Sequence, residues 1–257
     1  MKVEFLGLPG SGKTTIYNLL LKMLKKSKTH FLTSEKLLRA DFTKDLEKNS
    51  SISKLILKSS QINYFERVFK AYGKPHNELN HLNSFILKNH DLYKLVLDKI
   101  HKIEADRVEK MRLMSRFDKT FAIAHLTSMD NQNPKLIIID EGLVHRVVTL
   151  WGRKEFSSEK DLIARYFDLI SLPDIVIHSE SKPSLCNQRL EKRGYPMIFE
   201  NLPSNEIENR LKIIEDLINY SLDLLASKGV KIIKISNENG KEDLYQSTLN
   251  FLNSITK

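Results

Sequence analysis

The apolar positions of the chain fall into two alternating patterns. Short, β-branched-rich runs occur at "VEFLGL" (3 to 8), "THFLT" (29 to 33), "KLIIID" (135 to 140), "DIVIHS" (174 to 179) and "KIIKIS" (231 to 236). Each is nearly continuous in apolar character, as strands of a parallel sheet covered on both faces are. Between them lie helical periodicities, the clearest over 204 to 227, where Ile207, Leu211, Ile214, Ile218, Leu222 and Leu225 recur at spacings of three and four. Lys228 and Gly229 then supply a helix C-terminus. Strands alternating with helices predict right-handed crossovers and an α/β, doubly wound, three-layer sandwich around a five-stranded parallel sheet. Ligand is expected at the carboxyl ends of the strands.

The spacing breaks once, in the long interval 34 to 134 between the second and third strands. Helical patterns occupy 52 to 72, 82 to 104 and 104 to 128, with a turn at "YGKP" (72 to 75). We read the interval as a helical subdomain inserted into a single domain spanning 1 to 257.

Composition narrows the picture. Over 257 residues, 41% hydrophobic and 28% charged residues describe a folded globular chain rather than a disordered or fibrous one. The single cysteine, Cys186, rules out an intramolecular disulfide framework or a cysteine-rich zinc site, and a reducing cytoplasm is the expected setting. The eight histidines show no metal-ligand spacing. Neither an export leader nor a membrane span is expected.

The net charge of +9 is concentrated early: residues 1 to 60 carry 12 Lys and Arg against 5 Asp and Glu, seven of the nine surplus charges. Two readings stand. The lysines solvate the end of the first helix, or they attract small polyanions such as nucleotides. The basic face of "RVEKMRLMSRF" (107 to 117) reads as a solvated helix rather than a nucleic-acid surface, and Trp151 as a packing residue.

The strongest chemical signal is "GLPGSGKT", Gly7 to Thr14, which satisfies G-x-x-x-x-G-K-[ST] between a strand and a helix. Gly7, Gly10 and Gly12 are expected to permit positive φ and let backbone N–H groups approach phosphate oxygens, with Pro9, Ser11 and Thr15 completing the cradle. Lys13 would reach the β and γ phosphates and Thr14 would offer its hydroxyl to Mg²⁺. The second half of such a site is an acid at the end of a neighbouring strand, and "LIIIDEG" (136 to 142) delivers Asp140 and Glu141 there. Asp140 suits Mg²⁺ and Glu141 suits a base or a group orienting a nucleophile. The competing reading is that both acids cap the next helix.

With both halves in place, the chain resembles P-loop NTPases of the nucleoside and nucleotide kinase group, which includes the adenylate, thymidylate and deoxynucleoside kinases. The resemblance rests on roughly 1 to 40 and 135 to 257. It implies an enzyme, an ATP- and Mg²⁺-dependent small-molecule kinase. "FLTSEKLLRADF" resembles the stretch that supplies an acceptor-phosphate arginine, here Arg39, and a carboxylate taking a hydroxyl proton, here Glu35. "PDIVIHSESKPSLCNQRLEKRGYP" resembles the passage into the lid, about 189 to 203, in which a pair of arginines on one helix face, here Arg189 and Arg193, packs on the adenine and clamps the transferring phosphates. Arg210 corresponds to a further phosphate-binding arginine, and "IIKISNENGKEDL" to the adenine-side loop, Asn237 to Gly240. In the group, the insertion after the second strand contacts the acceptor. The chain departs from the thymidylate kinases in carrying "DEG" where they have D-R, and its lid from Gly194 to Pro203 is short and has no arginine of its own. Arg146 and Arg153 are candidates to replace those charges, or are helix-face residues.

The leading expectation is phosphoryl transfer to a small-molecule acceptor, a nucleoside or nucleotide first. A sugar or sugar-nucleotide kinase of the zeta-toxin kind and a nucleotide-dependent switch acting on a protein partner are the alternatives. A homodimer is compatible with all three.

Overall fold

The computed structural model describes residues 1–38, 76–129, 136–199, 202–238 and 240–256. Five strands form one sheet: β1 (Lys2–Gly7), β2 (Phe31–Thr33), β3 (Leu136–Ile139), β4 (Ile175–Glu180) and β5 (Lys231–Ser236). All pairings are parallel and the order is β2-β3-β1-β4-β5. Val3 stands opposite Ile138 on one side and Ile175 on the other. The carboxyl end of β1 therefore opens between those of β3 and β4, where a ligand of a doubly wound sheet is seated.

The helices with both ends among the described residues are α1 (Lys13–Lys26), α2 (His76–Lys88), α3 (His90–Lys102), α4 (Arg107–Met129), α5 (Arg146–Trp151), α6 (Lys160–Leu169), α7 (Pro183–Arg193), α8 (Ser204–Ser227) and α9 (Lys241–Thr256), and residues 34–38, just past β2, are helical as well. Alternation along β1 divides them between two layers. Val3 and Phe5 face α1 and α9, against Ile16, Leu20, Leu24, Leu244 and Phe251. Leu6 faces the opposite layer, where Phe117, Val147, Leu190, Leu211 and Ile214 fill the core. Full burial of a side chain such as Phe5 contributes about 1.5–3 kcal/mol.

In α1, Ile16, Leu20, Met23 and Leu24 share the buried stripe. The helix ends where Lys28 turns to φ 56, after Lys25 and Lys26 have placed positive charge at its negative dipole end. No helix among the described residues is long and apolar enough to cross a membrane.

Two expectations are adjusted and one is left aside. The pattern over 82 to 104 is two helices, because the Asn89 side chain and its own N–H both donate to the Phe85 carbonyl, at 3.0 and 2.9 Å, and close α2 before α3 begins. β5 is half-exposed rather than covered on both faces; as an edge strand it carries exposed Lys231 and Lys234, which discourage further pairing. The helical stretch 52 to 72 and the "YGKP" turn lie outside the described residues.

Candidate active site

The loop after β1 needs its glycines for two reasons. Gly10 and Gly12 have φ 86 and 94, the left-handed region that glycine enters without strain. Gly7 does not share that conformation. A Cβ there would stand 2.7 Å from the Ser179 carbonyl of β4, so close approach of the neighbouring strand is what demands glycine, correcting the expectation of positive φ. The loop is braced from behind: Ser179 Oγ and Asn237 Nδ2 each donate to the Ser11 carbonyl at 3.1 Å. α1 then begins with no acid in its first turn and no side-chain cap. The first N–H groups of a helix lack intrahelical acceptors, so this end offers a seat for an anion.

Lys13 folds back over the loop, its Nζ donating to the Gly7 and Leu8 carbonyls at 2.9 Å each. Burial pushes its pKa down to about 8, with Glu141 and Asp140 opposing the shift. An ammonium so placed gains from phosphate oxygens what burial withholds from it.

Asp140 leaves β3 half-buried, with Oδ1 inaccessible and without a hydrogen-bond partner. Burial and then Glu141 raise its pKa, against the pull of Lys13. An orphaned carboxylate oxygen within electrostatic reach of Lys13 fits Mg²⁺, which takes one or two carboxylates together with phosphate oxygens. Thr14 lines the same cavity as Lys13.

Glu141 is differently engaged: Arg146 Nη1 donates to it at 3.3 Å and His145 Nε2 lies 3.9 Å away. Burial opposes its charge, but the guanidinium of Arg146 and the ammonium of Lys13 favour it, and its carboxyl lies below the usual carboxylate range. The imidazole of His145 is itself driven down to about 3 by burial and by Lys13, so it stands neutral beside an ionised carboxylate.

The turn carrying these groups is held from beneath by a residue that sequence reasoning passed over. Glu4, on the Leu6 face of β1, is 1% exposed. Its Oε2 accepts the Val144 N–H at 2.9 Å and Lys2 Nζ lies 3.6 Å from Oε1. A Cβ at Gly142 would lie 2.2 Å from this carboxylate, so the glycine of "DEG" makes room for Glu4. Tyr166 fixes the same turn by donating its hydroxyl to the Leu143 carbonyl at 2.7 Å. Arg146, 7% exposed, is locked by Nε donating to Thr120 Oγ1 at 2.9 Å and by the Phe117 ring 5.9 Å below.

A cavity of about 230 Å³ separates two walls. One is the loop and helix start, with Pro9, Gly10, Gly12, Lys13, Thr14 and Thr15; the other presents Arg116, Arg146, Arg153 and Arg193 with Glu141 and His145. Arg153 is ion-paired with Glu109, yet its Nε is buried without a partner. Arg116, from α4, was visible in the sequence only as part of a basic helical face.

The pair Arg189 and Arg193 parts company. Arg189 lies behind the loop, donating from Nη1 to the Gly10 and Ser11 carbonyls at 3.3 Å and from Nη2 to the Asn237 carbonyl at 2.5 Å. Arg193 ends α7 and faces the cavity. Beyond it Pro196 and Ile198 line the cavity, while Phe199 is buried in the core. Glu35 is exposed just past β2; its charge acts on Asp140 and Tyr17, and it does not line this cavity. Arg210 lines an adjoining, larger cavity. Arg39 and Asn239 lie outside the described residues.

No protein-family model matches the chain, and no curated protein matches it. Among solved structures it is similar to a deoxyadenosine kinase from M. mycoides with products dCMP and a flexible dCDP bound, at 14% identity and a TM-score of 0.46 over 100% of both chains. It is likewise similar to deoxyadenosine kinase from M. mycoides with bound dCTP, at 15% identity and a TM-score of 0.47 over 99% of this chain and 100% of that one.

Proposed function

We propose that the chain is an ATP- and Mg²⁺-dependent phosphotransferase acting on a small molecule, with nucleosides and nucleotides as the acceptor class to test first. The carrying observation is that Lys13 and the start of α1 share the lining of one cavity with four arginines. Such an arrangement gathers fixed positive charge around a phosphoryl group in flight, which is the main demand of phosphoryl transfer.

Lys13 exchanges the Gly7 and Leu8 carbonyls for phosphoryl oxygens, and the N–H groups opening α1 hold the rest of the phosphate chain. Thr14 and Asp140 would hold Mg²⁺, which supplies further positive charge when bound. Arg193, Pro196 and Ile198 border the cavity, and Arg193 adds its charge to the phosphoryl site. Arg189 acts as a strut, tying the loop to Asn237 rather than touching phosphate.

The test is ³¹P NMR of ATP, Mg²⁺ and pooled acceptors (nucleosides, nucleoside monophosphates, sugars and sugar nucleotides), with Lys13→Ala as control. A phosphorylated product absent from the control is expected. Hydrolysis that no acceptor alters would instead support a nucleotide-dependent switch.

A further inference from the structure

Three ion pairs among the described residues join the helices that lie between β2 and β3 to the segment that follows α5. Lys99 of α3 meets Glu159, with Nζ 2.5 Å from Oε2. Glu104, between α3 and α4, meets Lys154 at 2.6 Å, and Glu109, in the first turn of α4, meets Arg153. The Glu104 and Lys154 side chains are 78% and 65% exposed, and such surface pairs contribute little. Glu109 and Arg153 are each only 18% exposed, and Arg153 also lines the phosphate cavity.

Both ends of this pair are fixed. The Glu109 N–H donates to Asp106 Oδ1 at 2.7 Å, a cap that settles the backbone from which the carboxylate projects. On the other side, Gly152 is pressed between α5, α8 and Ile198: a Cβ there would stand 2.5 Å from the Val148 carbonyl, 3.0 Å from Ile214 Cγ1 and 3.2 Å from Ile198 Cδ1. Arg153, next in the chain, therefore leaves a turn with little room to shift. Its Nη2 donates to Glu109, while its Nε is buried and has no acceptor. A guanidinium is a rigid planar fork, so holding one of its nitrogens sets the direction of the others. A buried donor left without an acceptor is costly, and a phosphoryl oxygen is the charged partner that satisfies it best.

We infer that Glu109 is a positioning residue: it holds the Arg153 guanidinium by Nη2 so that Nε is presented to a phosphoryl oxygen of the bound nucleotide. The inference rests on the phosphotransferase reading. It makes a helix lying between β2 and β3 responsible for the aim of a phosphate-binding group carried by the segment after α5. Glu109 touches no phosphate itself. Its own negative charge disfavours a polyanion nearby, whereas its hold on Arg153 favours one, so the two effects on nucleotide affinity have opposite signs.

A double-mutant cycle on the binding of ATP with Mg²⁺, read by calorimetry, tests this without an acceptor. Arg153→Ala should weaken ATP binding about 10- to 100-fold, as loss of a charged hydrogen bond does. Glu109→Gln, close to the parent in shape, should weaken it about 2- to 10-fold, the cost of ordering one long side chain on binding, and Glu109→Asp should recover part of that loss. In the Arg153→Ala background, Glu109→Gln should weaken binding no further, because nothing is left to aim. Should Arg153→Ala fail to fold by circular dichroism, Arg153→Lys closes the cycle in its place, since an ammonium has no Nε to direct. Unchanged ATP binding in Arg153→Ala, unchanged or tighter binding in Glu109→Gln with Arg153 present, or an equal loss from Glu109→Gln in both backgrounds would each overturn the inference and leave the nucleotide site standing. Absence of Lys13-dependent ATP binding removes the phosphotransferase reading itself, and the inference with it.

Discussion

The smaller cavity is lined by two kinds of material, a loop and a set of arginines, which act as its two walls. The loop wall comes from one short stretch, Pro9 to Thr15, offering backbone N–H groups and one ammonium, and it is braced from behind by Ser179, Arg189 and Asn237. The arginine wall collects single side chains from α4, α5, the turn after α5 and the end of α7, each with its own local anchor or none. Backbone cradles are local objects that a short motif can encode. Charge balance across a cavity is a tertiary property, and the contrast predicts that the loop wall is brittle to single changes while the arginine wall shares its work among several residues.

Lys13→Ala is the hardest break of that contrast. Losing one preorganised charge at a transferring group costs about 10²- to 10³-fold in rate, so transfer in the ³¹P assay should fall by at least that much with the fold intact by circular dichroism. Arg193→Ala should cost less, because Arg116, Arg146 and Arg153 remain on the same wall. An equal loss at Arg193 would show that the arginine wall is as brittle as the loop.

The same contrast explains how much was readable. The strands announced themselves because central parallel strands are apolar on both faces, and the α8 stripe because its period is unbroken for its whole length, Ser204–Ser227. The loop was legible because its groups are neighbours in sequence. Glu4 was not: a lone acid in an apolar run carries no periodic signal, and its role depends on Gly142 and on Val144, the latter 140 residues away along the chain. Arg116 was hidden among other basic residues of α4, since only the packing of α5 decides which of them faces the cavity. Arg189 and Arg193 do share a helix face by spacing, but one turn of depth puts the first behind the loop and the second at the helix end. The break at Asn89 escaped because apolar residues continue on both sides of it.

Glu4 offers a way to loosen the arginine wall without touching it. Glu4→Ala strips the Val144 N–H of its acceptor and leaves a hole under Gly142, and stability should fall by about 2–4 kcal/mol in urea unfolding. Glu4→Gln keeps the volume and an oxygen for Val144, so it should recover most of that loss. Because burial raises the Glu4 pKa, its effect on stability is most favourable below the usual carboxylate range and declines as pH rises through the folded value. At neutral pH the glutamine variant should therefore come closest to the parent protein, and on acidification the parent should gain on it. An alanine variant no worse than the glutamine one would mean that the turn is held by Tyr166 alone.

Gly12→Ala attacks the loop wall more gently. The new Cβ would meet Asn237 Nδ2 at 1.9 Å at a φ of 94. The obstacle is the tip of a flexible side chain that can swing away, at the loss of its bond to the Ser11 carbonyl. Left-handed strain and one hydrogen bond together come to about 1–3 kcal/mol, and ATP affinity should fall by roughly the corresponding 10- to 100-fold in calorimetry. Affinity within twofold of the parent would show that the bracing by Asn237 is dispensable.

The mildest probe leaves both walls intact and changes only the proton on Lys13. Its pKa of about 8, set mainly by burial, lies below the ordinary lysine value of 10.5. Without ligand the folded protein therefore holds fewer protons than the unfolded chain between those values, and lysine's contribution to stability improves as pH rises through that window. Phosphate binding runs the other way. Polyanion in the cradle favours the ammonium, so ATP binding above about pH 8 must take up a proton, and affinity should fall about tenfold between roughly pH 7 and pH 9. Calorimetry in buffers of different ionisation enthalpy reads this uptake directly: close to one proton at the alkaline end and almost none at neutral pH. Loss of the uptake in Lys13→Arg, whose guanidinium stays charged throughout, would assign the proton to this side chain and not to the arginine wall or to Asp140.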